Sequence, residues 1–211
     1  MTTQPTEKDL ELILAVDRDY LFDNERLAFQ GVTKDPKHIR EINKRLDGYM
    51  EVYRGPAEKN TAWKQPIPYA IIRRGDEVFL YERLSKSGEE RLHGQLSIGV
   101  GGHMNKVNDV RNWDDTLAFN LYREIEEELI FKVSMDYTHS PKTVGLINDD
   151  ENAVGKVHIC ILVVLDLPED ADVEVRETDK LDGYWVRIQD LKKTPLFERL
   201  ESWSQIATEV L

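Results

Sequence analysis

The segment from Asp114 to Ile130, DDTLAFNLYREIEEELI, constrains the chain most, because it is written for two faces at once. Placed on a helix, Ala118, Leu121, Tyr122, Ile125 and Leu129 fall on one stripe, which predicts an amphipathic helix docked on an apolar layer. Glu124, Glu127 and Glu128 converge on a different arc with Arg123 at its border, while Glu126 points away towards solvent. Most acidic runs are solvated helix faces. In this one the i,i+3 and i,i+4 pairs of Glu124 with Glu127 and Glu128 repel by roughly 0.2–0.5 kcal/mol each, and the C-terminal half of a helix also disfavours anions. Arg123, four residues before Glu127, offsets part of this repulsion. A divalent cation converts the same cluster into a hard-oxygen ligand set suited to Mg²⁺.

A helix of this kind needs a partner layer, and the flanking sequence supplies short apolar runs that read as strands. LELILAV, residues 10 to 16, is a buried strand followed by the turn-prone DRDYLFDNERLAFQG. A helix is predicted over 36 to 54: Asp35 caps it, Pro36 suits the first helical position, and Ile39, Ile42, Leu46, Tyr49 and Tyr53 recur at three- and four-residue steps. These apolar residues are assigned to the core or to a dimer interface. GPAEKNTAWKQPIP reads as a connector. Ile67 to Arg74 and Glu77 to Arg83 flank RRGDE as a hairpin, Gln95 to Val100 is a short strand ending in glycines, and an irregular loop runs to about Asn112. Further strands are expected near 131 to 137, 142 to 147, 156 to 167 and 183 to 188, with a helical C-terminus from about Asp190 to Leu211. The pattern is mixed α/β. It divides into an N-terminal strand-helix extension, residues 1 to 65, packed on a main domain of residues 66 to 211.

Composition narrows the partners. With 40 acidic against 28 basic residues, a net charge of −12 repels nucleic-acid backbones and anionic membranes, so neither is an expected partner. A phosphate-bearing ligand must then be recruited locally, by metal ions or a small basic patch. The single cysteine, Cys160, excludes an intramolecular disulfide and a multi-cysteine zinc site, and its neighbours HICILVVL place it in a buried strand. MTTQPTEKDLE lacks a basic and an apolar leader region, and no run reaches 18 uninterrupted apolar residues, so a cytoplasmic protein is expected.

Just upstream of the acidic helix lies IGVGGHMN, a strand followed by Gly101 and Gly102, which let a loop carbonyl approach an ion or phosphate. The region from Gly101 to Phe131 resembles the signature of the Nudix (MutT-like) hydrolases: glycine, five residues, Glu, seven residues, then R-E-U-x-E-E-x-G-U with U apolar. REIEEELIF matches the second half at Arg123, Glu124, Ile125, Glu127, Glu128 and Phe131. The GGHMN and LINDDENAVGKVH segments are similar to those of family members described as phosphoesterases. Three positions depart from the pattern. Asp115 stands where the first Glu belongs, Ile130 replaces the glycine after the helix, and the loop after Gly102 is longer, so that Asp109 takes the pattern's glycine position.

The resemblance implies an α/β/α sandwich with a mixed sheet and Mg²⁺, or alternatively Mn²⁺, as cofactor. It also implies hydrolysis of a phosphoanhydride bond in a nucleoside-diphosphate-X or related organic pyrophosphate. By the same resemblance Glu127 and Glu128 are metal ligands, Glu124 is a further ligand or the base acting on water, Arg123 orients Glu127, and the Gly101 carbonyl adds a ligand. The alternatives are a ligand-sensing Nudix module without turnover and an isopentenyl diphosphate isomerase-like enzyme, which depends on an active-site cysteine. A homodimer is left open.

Other candidates carry two readings each. Asp115 holds Arg123, or helps to cap the helix with Asp114. Asp149, Asp150 and Glu151 form a polar turn in preference to a metal-binding loop. His103 contacts substrate or makes a loop hydrogen bond, and His158, alternating with apolar strand residues, reads as a satisfied core histidine. Arg73, Arg74 and Arg83 read as hairpin-surface charge ahead of a phosphate clamp.

Overall fold

The two longest strands, WKQPIPYAIIRR and HICILVVLDL, lie side by side in parallel, and the other elements are arranged around them. The computed structural model describes residues 4–84, 94–110, 112–132 and 141–211. In chain order the elements are β1 (Leu12–Asp17), α1 (Arg18–Leu21), β2 (Gly31–Thr33), α2 (Pro36–Leu46), β3 (Met50–Tyr53), α3 (Arg54–Ala57), β4 (Trp63–Arg74), β5 (Glu77–Arg83), β6 (Leu96–Ser97) and β7 (Gly99–Val100). Then follow α4 (Trp113–Glu128), β8 (Leu129–Phe131), β9 (Thr143–Asn148), α5 (Ala153–Val157), β10 (His158–Leu167), β11 (Val173–Val175), β12 (Leu181–Arg187), α6 (Leu196–Arg199) and α7 (Ser202–Ala207).

The main sheet runs β12-β5-β4-β10-β9-β2, with β4 and β10 parallel from Gln65 opposite His158 to Arg74 opposite Leu167 and the remaining neighbours antiparallel. Strand periodicity separates its two faces. Ala70, Ile72, Phe79, Tyr81 and Val163 turn towards Leu121 and Ile125 of α4, while Tyr69, Ile71, Val78, Leu80, Cys160 and Leu162 turn towards Leu191, Leu200 and Ala207 of the C-terminal segment. Covering on both faces explains why β10 is a continuous apolar run, as parallel strands usually are. Helix, mixed sheet and C-terminal helices make the layered α/β architecture expected from the sequence.

The residues before β4 share a core with the rest. Leu14, Val16, Leu21, Phe22, Ile39, Ile42 and Leu46 cluster with Trp113 and Leu117 of α4 and with Ile159 and Ile161 of β10. Strand β1 pairs with β3 and, at Val16 opposite Lys64, with β4.

The structure differs from the sequence expectations at several element ends. The helix predicted over 36 to 54 stops at Leu46; Asp47 and Gly48 turn the chain and residues 50 to 53 become β3, so Tyr53 is exposed in a strand instead of continuing a stripe. The C-terminal helix is broken at Pro195 and again at Leu200, which bridges to Leu96, leaving α6 and α7 as short pieces. Strands β2 and β11 and helix α5 are additions that the sequence did not predict. Of the strand expected near 131 to 137, residues 133 to 137 lie outside the described residues. In α4 the stripe is wider than expected: Leu117, Asn120 and Glu124 are buried with Leu121 and Ile125, while Ala118 and Tyr122 are half-buried, because the helix meets both the sheet and the N-terminal layer.

Candidate active site

The glycine loop passes so close to its neighbours that side chains are excluded. A Cβ on Gly101 would lie 1.9 Å from the Pro68 carbonyl oxygen, and one on Gly102 would lie 2.3 Å from Glu124 Oε2. Hydrogen bonds then stitch the loop to α4. Asn105 N donates to Asn120 Oδ1 at 2.9 Å, Asn120 Nδ2 donates back to the Asn105 carbonyl at 2.9 Å, and Arg123 Nη2 donates to the His103 carbonyl at 2.8 Å. Asn120 is fully buried, so these bonds satisfy a group that would otherwise be costly to bury.

On this fixed frame the three carboxylates differ in environment. Arg123 bridges two of them, with Nη2 2.6 Å from Glu124 Oε1 and Nη1 3.1 Å from Glu127 Oε1. Glu127 is exposed, whereas Glu124 is buried, and burial raises its pKa against the pull of Arg123. Glu128 is half-buried as a residue, but its Oε2 is enclosed and its carboxyl shows the largest rise of the three. Burial pushes its carboxyl up to about 7, with Arg83 opposing and Glu124 and Glu201 adding to the rise, and its Oε2 is buried with no hydrogen-bond partner.

All three line a cavity of about 720 Å³ whose other walls come from distant parts of the chain. Its carboxylates are Glu11, Glu58, Glu124, Glu127, Glu128 and Glu201, against the cations Lys8, Arg54, Arg83 and Arg123. Six acids against four cations leave the lining carboxylate-rich, so a phosphoanhydride needs added cations to bind there. Trp203 forms an aromatic wall, its ring 6.1 Å from Tyr69 and 6.4 Å from His158, both edge-on. Glu58, just after α3, His103 on the glycine loop and His158 at the start of β10 bring ligand-type atoms within 4.8 Å of one another. A hydrogen bond from His103 holds Glu58 down to about 2, and burial brings His158 down to about 4. The segment leading into His158 is pinned by the fully buried Lys64, whose Nζ donates to Asp150 Oδ1 and to the Gly155 carbonyl, each at 2.7 Å.

The sequence and the fold, taken as a whole, are similar to those of known proteins. No family model matches the sequence. The chain is 46% identical over 202 residues to Protein YmaB of Bacillus subtilis (strain 168), covering 95% of this chain and 97% of that one. It superposes on the crystal structure of Tm1382, which carries a Nudix hydrolase description, with a TM-score of 0.75 and 26% identity over 95% of this chain and 97% of the other. The chain belongs to the Nudix (MutT-like) hydrolase family. A bifunctional NMN adenylyltransferase/ADP ribose pyrophosphatase from Francisella tularensis shares the fold at TM-score 0.50 and 14% identity, over 70% of this chain and 40% of that one. The Nudix likeness supports an enzyme that hydrolyses a pyrophosphate linkage.

Several departures of this Nudix protein from the family pattern have physical accounts. Ile130 needs no glycine conformation, because α4 ends directly into extended chain at Leu129 and Ile130 pairs with Glu174 in the β8–β11 ladder. Asp109, at the pattern's glycine position, adopts a positive φ of 68°, which Asp tolerates better than most residues. Asp115 is exposed and belongs to the helix start: its N–H donates to the Asn112 side chain, the actual cap, at 2.9 Å.

Other sequence candidates separate from the pocket. Asp149 and Asp150 form a structural turn, Asp150 accepting from Lys64 and from Arg18 at 2.8 Å. Arg73 pairs with Asp166, and Arg74 lies over Trp185 at 4.0 Å and bonds Glu77; of the three arginines only Arg83 reaches the pocket. Cys160 is fully buried with its thiol pushed up by burial, and it does not line the cavity. Sequence reasoning missed Glu58, Glu201 and Trp203. Only long-range pairing brings them to α4, although Asn120, four residues before Glu124, was a legible polar residue on the packed side.

Proposed function

We propose that this hydrolase is a Mg²⁺- or Mn²⁺-dependent pyrophosphohydrolase acting on a nucleoside-diphosphate-X or related organic pyrophosphate. The observation that carries this reading is the convergence of Glu124, Glu127 and Glu128 in a carboxylate-rich pocket, with Glu128 Oε2 buried and unpartnered. Oxygen donors of this kind fit a hard divalent cation, and a cation offsets the burial that otherwise protonates Glu128. Glu124, Glu127 and Glu128 would hold it, with the Gly101 carbonyl as a further donor. When bound, it neutralises the non-bridging phosphate oxygens and lowers the pKa of a bound water.

The protein's own groups supply the rest. Arg123 fixes Glu124 and Glu127 in place. Glu124, held by Arg123 on the pocket wall beside Glu127 and Glu128, is placed to take a proton from the attacking water. Lys8, Arg54 and Arg83 are placed to pair with phosphate oxygens, and Trp203 offers a face for a base or other ring, which favours a nucleoside over a simple pyrophosphate. The reading extends to a cytoplasmic protein that works without nucleic acid. Among the described residues no helix is long and apolar enough to cross a membrane.

The test is a panel of nucleotide sugars, dinucleoside polyphosphates, nucleoside triphosphates, coenzyme A and prenyl diphosphates, assayed with Mg²⁺ or Mn²⁺ and phosphatase-coupled detection. At least one should be cleaved, and Glu124→Gln should lower its kcat by about 10²-fold or more with a much smaller change in substrate affinity. A panel compound bound at micromolar concentration and never cleaved would replace the hydrolase reading with that of a binding module.

A further inference from the structure

We propose that Glu58, His103 and His158 form a second cation site in this pocket, built for a transition-metal ion of the Zn²⁺ or Co²⁺ class and distinct from the carboxylates of α4. The donor atoms are already spaced for it. His103 Nε2 lies 3.2 Å from His158 Nε2 and 3.3 Å from Glu58 Oε1, and His158 Nε2 lies 3.9 Å from Glu58 Oε1. A tetrahedral ion with bonds of about 2.0–2.1 Å sets its ligands about 3.3 Å apart, so two of the three edges need almost no adjustment.

Proton accounting supports a cation at that point. His158 Nδ1 is 2.7 Å from the Val154 carbonyl oxygen, which only accepts, so Nδ1 carries the hydrogen. The neutral ring therefore presents the Nε2 lone pair to the cluster, the tautomer that metal-bound histidines adopt when a carbonyl fixes the other nitrogen. His103 Nε2 then faces three acceptors: His158 Nε2, Glu58 Oε1 and, at 2.9 Å, Gln65 Oε1. One N–H satisfies only one of them. A cation answers the surplus of lone pairs at one stroke.

Two imidazoles and a carboxylate favour a borderline metal over Mg²⁺, which prefers oxygen donors. Three protein donors leave the fourth position of a tetrahedral ion for water or a pocket-bound ligand. This site stands whether or not the enzyme acts on nucleotides, because it rests on the cluster alone.

Chelator-treated full-length protein should be titrated with CoCl₂ and followed by visible absorption. The wild type and the Glu127→Gln/Glu128→Gln variant should each bind a Co²⁺ ion with tetrahedral-type bands that excess Mg²⁺ leaves in place and Zn²⁺ bleaches. Glu58→Gln and His103→Asn should each weaken that ion at least tenfold. Glu58 is exposed on one side, so its variant carries the test if His103→Asn disturbs folding by circular dichroism. Bands lost in the α4 double variant, displaced by Mg²⁺, unchanged by Glu58→Gln, or absent from the wild type would each overturn the site.

Discussion

The carboxyl of Glu128 reaches a pKa of about 7 from its ordinary 4.5 because burial removes water from it, an effect that Arg83 opposes and that Glu124 and Glu201 reinforce. In the metal-free protein the folded state therefore holds this proton more tightly than the unfolded chain between pH 4.5 and 7. The resulting stabilisation is complete below 4.5 and is lost as pH rises towards 7. His158, brought down to about 4 by burial from its ordinary 6.5, works in the opposite sense: stability rises with pH from about 4 to 6.5. The Glu128 contribution is thus visible only by difference. Urea midpoints of metal-free wild type, followed from pH 4.5 to 7, should fall relative to those of Glu128→Gln. Parallel pH profiles for the two proteins would mean that Glu128 is not desolvated as the structure shows. A bound cation competes with the same proton, so Mn²⁺ affinity should climb through this window in the wild type and stay flatter in the variant.

At the scale of elements, α4 owes its start to Asn112, whose side chain accepts from Asp115 N and also donates to Asp115 Oδ2 at 2.8 Å. Asn112→Ala should cost about 1 kcal/mol by urea unfolding, the usual loss for such a cap. A change of only a few tenths would show that Asp114 and Asp115 cap the helix on their own. The same helix shows what was legible in the sequence and what was not. Its amphipathic pattern and the REIEEEL run are local, and the structure has the helix over Trp113–Glu128 with Glu124 inward and Glu126 out. The 36 to 54 prediction overran because Tyr49 and Tyr53 keep helical spacing by chance. Residues 50 to 53 instead pair with β1, and a Cβ on Gly48 would lie 2.9 Å from the Tyr20 ring, a tertiary contact invisible in a local window. His158 was read as a core histidine from alternation, and it is buried. Its pocket-facing neighbours Glu58 and His103 lie 100 and 55 positions away in the chain, so no spacing rule announced them.

At the scale of the whole molecule, we propose that residues 1 to 65 are part of the folding unit, with the pocket lying between them and the main domain. Eight apolar side chains from this segment, Leu14, Val16, Leu21, Phe22, Leu27, Ile39, Ile42 and Leu46, are buried in one cluster with α4 and β10. Burying each contributes about 1.5–3 kcal/mol. Their sum is of the same order as the roughly 5–15 kcal/mol by which a domain is stable at all. The segment also supplies Lys8, Glu11, Arg54 and Glu58 to the cavity wall, so its loss would open the site as well as the core. Deleting residues 1 to 62, which leaves β4 whole, should give a chain that binds an apolar dye, aggregates on light scattering and cleaves no substrate. A truncated protein that stays monodisperse, binds no dye and keeps full kcat would show that the main domain folds and works alone. If it stays folded but loses only substrate affinity, the segment's role is confined to the pocket wall and the shared core is dispensable. The three results separate a structural layer from a substrate-binding appendage.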